Sequence, residues 1–339
     1  MIFFYTYLLL VTILSFTFKK KGIFLNYSGD IHQTFSNKKN VPLAGGLFIL
    51  IPLVFFLNDL LINCFIISIY LIGYFSDRKI LVSPKTRFLF QCILVLLFVE
   101  IFDIKINSSR IELFDIILNY KIFAIFFSAF CLLILINGSN FIDGLNGILI
   151  SFTIIILFML NKLDLIDNLI ISSESINLII FILSLLLLLN IFNILMLGDS
   201  GAYLLGFFVG YMIISSHISN PNISPYFFIS LIWYPCFENL FSILRKLNRE
   251  FSPLKPDSKH LHQLVFFFLT KKFNLKLIIS NNLSSLIICF FNFLIIYIST
   301  LNPSSTIFQI KLIATSVVFY NACYILLFKF YKSKLISKK

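Results

Sequence analysis

The sequence predicts an all-α polytopic membrane protein with about 11 transmembrane helices, the N-terminus outside and the C-terminus cytoplasmic. Of its 339 residues, 59% are hydrophobic and only 12% are charged, whereas a soluble domain usually carries about 25% charged residues. Apolar runs of about 15–25 residues recur along the chain, and each is long enough to cross ~30 Å of hydrocarbon as a helix. The alternating pattern that is typical of a transmembrane barrel is absent.

The apolar runs follow one another without a low-complexity linker or an internal repeat, so a single integral-membrane domain over residues 1–339 is predicted. The first run has no charged segment before it and no small-residue cleavage site, which favours a retained helix over a signal peptide. The expected spans are 1–18, 42–57, 60–75, 88–102, 114–136, 145–160, 175–193, 202–217, 226–244, 277–298 and 306–328.

The lysines and arginines indicate the orientation. With the N-terminus outside, the inner segments and the C-terminal tail hold 22 of the 27 Lys and Arg residues, which is the excess that the positive-inside rule requires. The cytoplasmic loops are then expected near 19–41, 76–87, 137–147, 194–201 and 245–276.

Composition also excludes several kinds of site. The net charge of +12 could suggest nucleic acid, but its distribution marks the inner membrane surface, and no nucleic-acid partner is predicted. The six cysteines fall inside apolar runs without CxxC spacing. They are expected to be buried thiols, with neither a disulfide framework nor a zinc site.

Three aspartates lie at the inner ends of predicted spans, in the patches GYFSDRKILVSPKTR (Asp77), NGSNFIDGLNG (Asp143) and LGDSGAYLLG (Asp199). The topology places them at one depth on one side, where an unpaired carboxylate is costly and should have a partner. Hard oxygen ligands favour Mg²⁺ over zinc. Asn140 shares a face with Asp143 if that segment is helical, and Gly-Asp-Ser-Gly is typical of a helix start that favours phosphate. Three unrelated interfacial residues are the alternative.

Basic residues on the same side could bind an anion. Lys85 and Arg87 follow Asp77 in the same loop. His260 and His262, two residues apart, would point apart on a helix but share a face on an extended segment. They are either surface residues or hydrogen-bond donors to a phosphate. Glu238 lies inside a predicted span, where an ionisable residue suggests a function, and a helix-packing role is an equal alternative.

The order of these patches resembles the polyprenyl-phosphate N-acetylhexosamine-1-phosphate transferases, the MraY/WecA-like membrane enzymes of glycosyltransferase family 4. NVPLAGG (40–46) is similar to the Pro-x-x-Gly-Gly start of that family's second helix, and 73–91 to its acidic loop with Lys-x-Arg and Gln. NGSNFIDGLNG resembles its Asn-x-x-Asn-x-x-Asp-Gly-x-x-Gly motif, GDSGAYLLGF its Gly-Asp-x-Gly motif, and HLHQL its His-x-His loop. Five motifs occur in the family's order, and they cover most of the chain.

The chain departs from the family pattern at several positions. Ser76 stands where the family usually has the first residue of an Asp-Asp pair, Asn146 where it often has a second Asp, and Gln263 where it often has another His. The approach to the Gly-Asp motif is the apolar NIFNILML. These departures leave the substrate and the division of catalytic roles open, and lost activity is one alternative.

The resemblance implies Mg²⁺-dependent (or Mn²⁺-dependent) transfer of a sugar 1-phosphate, of N-acetylhexosamine type, from a UDP-sugar to undecaprenyl phosphate with release of UMP. It also implies a multi-pass protein of the bacterial inner (plasma) membrane, with membrane lipid around it, the active site facing the cytoplasm and a homodimer as an option. The VPLAGG segment and the His loop favour a transferase that starts an O-antigen, capsule or other surface glycan over a peptidoglycan-precursor enzyme.

The resemblance also implies roles for individual residues. Asp77 is assigned to the lipid phosphate, as a base or second metal contact, and Asp143 to the nucleotide or metal. The whole expected set comprises catalytic Asp77 and Asp143, metal ligands Asn140 and Asp199, and substrate- or phosphate-binding Lys85, Arg87, Asn137, His260 and His262. A polytopic transporter or permease for a lipid-linked or anionic substrate is the rival function. Polar groups near the membrane midplane would favour a transporter, but here they collect at one interface.

Overall fold

The computed structural model describes residues 2–25, 41–57, 59–166, 170–247 and 259–336, and within them the chain is all-helical, without a named strand. Residues 26–40 and 248–258, parts of two predicted inner loops, lie outside the described residues. The described helices are α1 Ile2–Lys21, α2 Gly45–Phe56, α3 Leu60–Asp77, α4 Pro84–Ile101, α5 Glu112–Leu118, α6 Lys121–Ile142, α7 Ile148–Lys162, α8 Ser173–Ile191, α9 Gly198–Ser219, α10 Pro225–Leu247, α11 Leu261–Lys272, α12 Leu277–Ser299 and α13 Thr306–Ile336.

Seven described helices are long and apolar enough to cross a membrane, which confirms the class of protein. They are α3, α6, α8, α9, α10, α12 and α13. Helices α2 and α7, with 12 and 15 residues, are only about 18 and 22 Å long. Every predicted span overlaps a described helix, but eleven crossings and the orientation of the termini stay predictions.

Capping residues fix several helix starts. The Asp59 side chain accepts hydrogen bonds from the Leu61 and Ile62 N–H groups at the start of α3. Ser83 caps α4, with Pro84 at the first helical position, where its missing N–H costs nothing. These caps satisfy N–H groups that have no partner inside the helix.

The predicted span 114–136 is wrong in its bounds. Two helices, α5 and α6, cover that stretch, and α6 continues to Ile142. The helix continues because Asn137 bonds back to the Leu133 carbonyl at 2.9 Å and because Gly138 packs closely against the Pro235 carbonyl of α10. Asn137 and Asn140 therefore lie on a helix rather than in a loop, and the polar break begins at Asp143.

Helix α9 is the centre of the first helix group. It is buried along nearly its whole length and packs against α2, α3 and α6. An added Cβ at Gly206 would lie 2.8 Å from the Ile136 Cα of α6, so only glycine permits this approach. Small residues at such contacts let membrane helices pack backbone to backbone.

Helices α10 to α13 form a second group, joined to the first where α10 packs against α6. Aromatic rings fill its interior. The ring centroid of Tyr320 on α13 lies 4.9 Å from that of Phe237 and 6.5 Å from that of Trp233, both on α10. The C-terminal end of α6 consequently faces both groups.

Candidate active site

Asp77 caps the start of α9 from the neighbouring helix α3. Its carboxylate accepts hydrogen bonds from the backbone N–H groups of Asp199 at 2.8 Å and Ser200 at 3.0 Å. Gly198 has φ +74°, and a Cβ there would lie 2.6 Å from Asp77 Oδ2. One carboxylate thus satisfies two free N–H groups at the positive end of the helix dipole. The predicted helix start is confirmed, and the anion at it is Asp77.

Asp199 forms an ion pair with Arg87. Arg87 Nη1 lies 2.7 Å from Asp199 Oδ2, and the two side chains are 21% and 29% exposed. The Ser76 hydroxyl donates to the same oxygen at 2.5 Å and accepts a hydrogen bond from Arg87 Nη1. Position 76 therefore contributes a neutral bridge where the family pattern that the motifs resemble has a carboxylate. The ion pair is partly open to solvent, so a small anion or cation can reach it.

Close backbone contacts hold the start of α9 in place. The Met196 N–H donates to the Pro42 carbonyl at 2.9 Å, and the Gly45 N–H donates to the Met196 carbonyl at 2.9 Å. A Cβ at Gly73 would lie 2.4 Å from the Ser200 Cα. The predicted second-helix start and the Gly-Asp motif are thus in direct contact, and Gly73 of α3 sets the distance between α3 and α9.

The C-terminal end of α6 faces the start of α9. Asn140 Nδ2 lies 3.4 Å from the Tyr203 hydroxyl, and Tyr203 follows Asp199 by four residues, on the same face of α9. Asn137 Nδ2 donates to Gln91 Oε1 of α4 at 3.1 Å. The amides of α6 therefore face both α4 and α9.

Asp143 is the C-cap residue of α6, and its backbone N–H donates to the Ser139 carbonyl at 3.2 Å. It is half-buried and starts the short loop that ends at Gly147. Gly147 has φ +77°, a conformation that glycine adopts without strain. The Asp-Gly segment therefore turns sharply between α6 and α7 beside the amides of α6.

Asn146 belongs to a buried amide network. It is 1% exposed; its backbone N–H donates to Asn281 Oδ1 at 2.8 Å, and its Nδ2 donates to Asn193 Oδ1 at 2.9 Å and to Asn282 Oδ1 at 3.3 Å. An ionised aspartate has no side-chain donor for these oxygens. The departure at position 146 ties the Asp-Gly loop to α12 and to the segment after α8.

The His-x-His pair lies beside the end of α6. His260 has extended backbone at the N-cap of α11, so its ring stacks on that of His262, with centroids 5.6 Å apart and planes 4° apart. The two rings therefore share a face, with His260 extended and His262 in the first turn of α11. His260 also contacts the Phe141 ring at 5.3 Å, and its Nδ1 lies 2.9 Å from Glu238 Oε1.

His262 is fully buried. Its Nδ1 lies 3.4 Å from the Tyr234 hydroxyl, and its Nε2 has no hydrogen-bond partner within the described residues. A Cβ at Gly144 would lie 2.8 Å from that Nε2. Burial lowers the pKa of His262 to about 3, so the ring is neutral near pH 7. His262 therefore packs under the Asp-Gly loop, and its predicted phosphate contact stays a prediction.

The structure brings eight of the nine predicted residues together where the ends of α3, α4, α6, α9 and α11 adjoin, and Lys85 lies at the same end of α4 but outside the described contacts among them. Lys85 is exposed on the first turn of α4. Sequence reasoning missed Tyr203 and Lys246, although a tyrosine four residues after Asp199 is a usable signal. Lys246 is only 8% exposed, and its Nζ lies 5.8 Å from the Phe141 ring centroid.

The donor set fits a hard cation better than zinc. Across the described chain, no group of three or more His, Cys, Asp and Glu side chains is arranged to hold a metal ion. Asp199 uses Oδ2 for Arg87 and Ser76, and Asn140 uses Nδ2 for Tyr203. Asp199 Oδ1 and Asn140 Oδ1 are oxygen donors on facing helices. Mg²⁺ commonly takes one or two such oxygens and completes its shell with water and substrate phosphate.

Comparison with known proteins finds a family model that matches part of the chain. Residues 59–217 match the model of glycosyl transferase family 4. No curated protein matches the chain. The matched region runs from the start of α3 into the last turn of α9, and it includes Asp77, Arg87, Asn140, Asp143 and Asp199. This match supports the resemblance drawn from the motifs: over residues 59–217 the chain is similar to glycosyl transferase family 4.

Proposed function

We propose that this protein transfers a sugar 1-phosphate, of N-acetylhexosamine type, from a UDP-sugar to undecaprenyl phosphate, releases UMP and starts a lipid-linked surface glycan. Its family supports phosphosugar transfer to a polyprenyl phosphate in general. The observation that supports the proposal best is the Asp77–Asp199–Arg87 cluster, which lies at a helix end, is partly exposed and faces Asn140 through Tyr203.

The reaction needs a positively charged site. An oxygen of the lipid phosphate attacks the phosphorus bonded to the sugar, the bond from that phosphorus to the bridging oxygen breaks, and UMP leaves with the electron pair. Both reactants are anionic, so positive charge has to offset their repulsion and stabilise the transition state. Because the lipid phosphate is largely ionised at neutral pH, a base has little to contribute beyond full deprotonation.

Asp199 and Asn140 would hold Mg²⁺, through the oxygens that their described contacts leave unused. Bound Mg²⁺ supplies charge neutralisation and polarises phosphoryl oxygens. Arg87 keeps Asp199 in place and offers its guanidinium to phosphate, since a guanidinium can bind two oxygens at once. Asp77 orients the start of α9 and so fixes the position of Asp199, in addition to the role as base or second metal contact that its motif implies.

The remaining residues would bind the donor. His260 lies beside the end of α6 and can donate a hydrogen bond to the donor diphosphate. Asp143, at the end of α6, would contact the nucleotide or the metal. Asn137, six residues earlier on α6 and bonded to Gln91, would contribute its amide to substrate binding. The lipid phosphate sits at headgroup depth, and the soluble donor comes from the cytoplasm, so both meet at the inner membrane interface.

The test is UMP release by purified protein with Mg²⁺, undecaprenyl phosphate and a panel of UDP-sugars. We expect activity with at least one amino-sugar donor, and we expect Asp199→Asn to abolish it while an exposed control, Asp103→Asn, keeps it. Full activity of Asp199→Asn would remove the metal assignment. Absence of UMP with every donor would favour an inactive family member or a transporter.

A further inference from the structure

We propose that Glu238 is the positioning residue for His260: its buried carboxylate fixes the imidazole so that the Nε2 nitrogen is available to the diphosphate of the sugar-nucleotide donor. The inference rests on the proposed function, because the donor is assigned there. It gives a role to an acidic side chain inside a membrane-spanning helix that the motifs leave unassigned.

The carboxylate of Glu238 joins three helices at one point. Glu238, on α10, is 0% exposed. Its Oε1 accepts a hydrogen bond from His260 Nδ1 at 2.9 Å, and its Oε2 accepts one from the Tyr320 hydroxyl of α13 at 2.8 Å. The Leu261 N–H, at the start of α11, donates to Oε2 at 3.4 Å. These donors offset the high cost of burying a carboxylate.

The geometry determines the orientation of the His260 ring completely. Phe141 lies 5.3 Å away and His262 lies 5.6 Å away, and these two rings fix the plane of the imidazole. The hydrogen bond to Glu238 fixes its rotation within that plane. It also places a proton on Nδ1, so Nε2 is the nitrogen that is left for a ligand, and it donates to a phosphate oxygen when the ring carries a proton on both nitrogens.

A role in folding alone is a weaker explanation. Replacing a buried ion pair by apolar side chains is often neutral for stability, so packing alone gives little reason for an acid at this position. A carboxylate behind a histidine is a common way to orient a ring that acts on a substrate. The Tyr320 hydroxyl in turn restrains the carboxylate from α13.

Several charged or titratable groups surround His260. Apart from Glu238 and Tyr320, which are replaced in some of the variants below, they are the same in every variant compared. They comprise Tyr234, Glu238, Arg245 and Lys246 of α10, Asp143 at the end of α6, Lys259 and His262 beside it in the chain, and Tyr320 and Tyr324 of α13.

The experiment is a double-mutant cycle on UMP release, with Glu238→Gln, His260→Gln and the double variant. If Glu238 acts through His260, Glu238→Gln lowers kcat about tenfold to a hundredfold, and the double variant is no slower than His260→Gln. Multiplicative losses in the double variant would overturn the proposal.

Tyr320→Phe provides a milder perturbation of the same contact. It should lower kcat several-fold, whereas Tyr7→Phe, which removes another buried hydroxyl, bonded to the Phe48 carbonyl at 2.7 Å, should leave activity unchanged. Equal effects of the two tyrosine variants would contradict the role of Tyr320.

A binding measurement separates this inference from the proposed function. Thermal stabilisation by UDP is measured for each folded variant, and Glu238→Gln should reduce it as much as His260→Gln does. An active wild type whose UDP response is unaffected by Glu238→Gln refutes only the role of Glu238. A wild type that neither releases UMP nor responds to UDP refutes the proposed function and this inference together.

Discussion

Replacing Asp77 by asparagine tests whether its carboxylate builds the site or only takes part in the chemistry. The side chain holds the N–H groups of Asp199 and Ser200 at 2.8 and 3.0 Å, and the Ser200 side chain adds a further hydrogen bond. An amide of the same shape keeps one acceptor but turns its NH₂ group toward the other N–H donor. The start of α9 then loses a charge-assisted hydrogen bond and a favourable interaction with the helix dipole.

The expected loss follows from these contacts. A hydrogen bond to a charged group contributes about 1.5–3 kcal/mol, and a favourable charge at a partly buried helix end contributes up to ~2 kcal/mol. Partial exposure of Asp77 reduces both contributions, so the expected decrease in the free energy of unfolding is about 2–4 kcal/mol. With an unfolding entropy of about 2.1 cal/mol/K per residue, 339 residues give a fall in Tm of about 3–6 °C.

The assay is thermal unfolding in detergent, followed by the fluorescence of Trp233, the only tryptophan, which is buried in α10. The matched control is Asp59→Asn: Asp59 caps α3 through two N–H groups but is exposed and lies at the other end of that helix. It should lower Tm by a smaller amount, as exposed caps cost ~1 kcal/mol, and keep UMP release. If Asp77→Asn loses activity while its Tm stays within a degree of the wild type, the carboxylate acts in the chemistry alone and the capping argument is wrong.

Three further outcomes follow from the same contacts. Arg87→Lys should lower kcat/KM for UMP release about tenfold or more, because an ammonium cannot reproduce the guanidinium contacts to Asp199; unchanged kinetics would contradict this. The pKa of His262 is lowered to about 3 by burial, below ~6.5 in the unfolded chain, so the unfolded state binds more protons between these values. The contribution of neutral His262 to the free energy of unfolding is then fully present above pH ~6.5 and falls by up to ~1.4 kcal/mol per pH unit below it. Between pH 7.5 and pH 5, Tm should therefore fall more for the wild type than for His262→Gln. Gly73→Ala should lower Tm more than Gly210→Ala. The new Cβ at position 73 would lie 2.4 Å from the Ser200 Cα in the backbone of α9, whereas one at position 210 would face leucine side chains, which can move aside. Equal melting points of the two variants would refute that packing.

The helices could be predicted from the sequence because a membrane segment is encoded locally, by an apolar run of sufficient length. Their ends could not all be predicted. The segment before Asp143 contains two asparagines and a glycine, a composition typical of loops, yet α6 runs through it. Gly138 is tolerated there because it permits contact with the Pro235 carbonyl, a tertiary effect with no local signal.

The site was predictable to the extent that topology brings its parts together. Asp77 and Asp199 lie 122 residues apart, and the inner ends of two spans had to meet for one to cap the other. The sequence could not show that Asp77 already has two backbone partners, since these depend on how closely α3 approaches α9. The contact between Glu238 and Tyr320, 82 residues apart, depends likewise on how α10 and α13 pack.

Two of the departures from the family pattern, Asn146 and Ser76, carry different weight for activity. Asn146 is buried and uses its amide to join α12 to the Asp-Gly loop, so an acid at this position would leave the oxygens of Asn193 and Asn282 without donors. Its presence is therefore explained by packing and is no sign of lost catalysis. Ser76 instead touches Asp199 and Arg87 directly, and it removes one negative charge from the place where two anionic reactants would meet. Less negative charge weakens binding of a cation but also weakens repulsion of the reactants. The activity consequently depends on the Ser76–Arg87–Asp199 contact. Ser76→Asp introduces the negative charge without disturbing the buried amides, so its UMP release shows whether stronger cation binding or stronger repulsion of the reactants dominates.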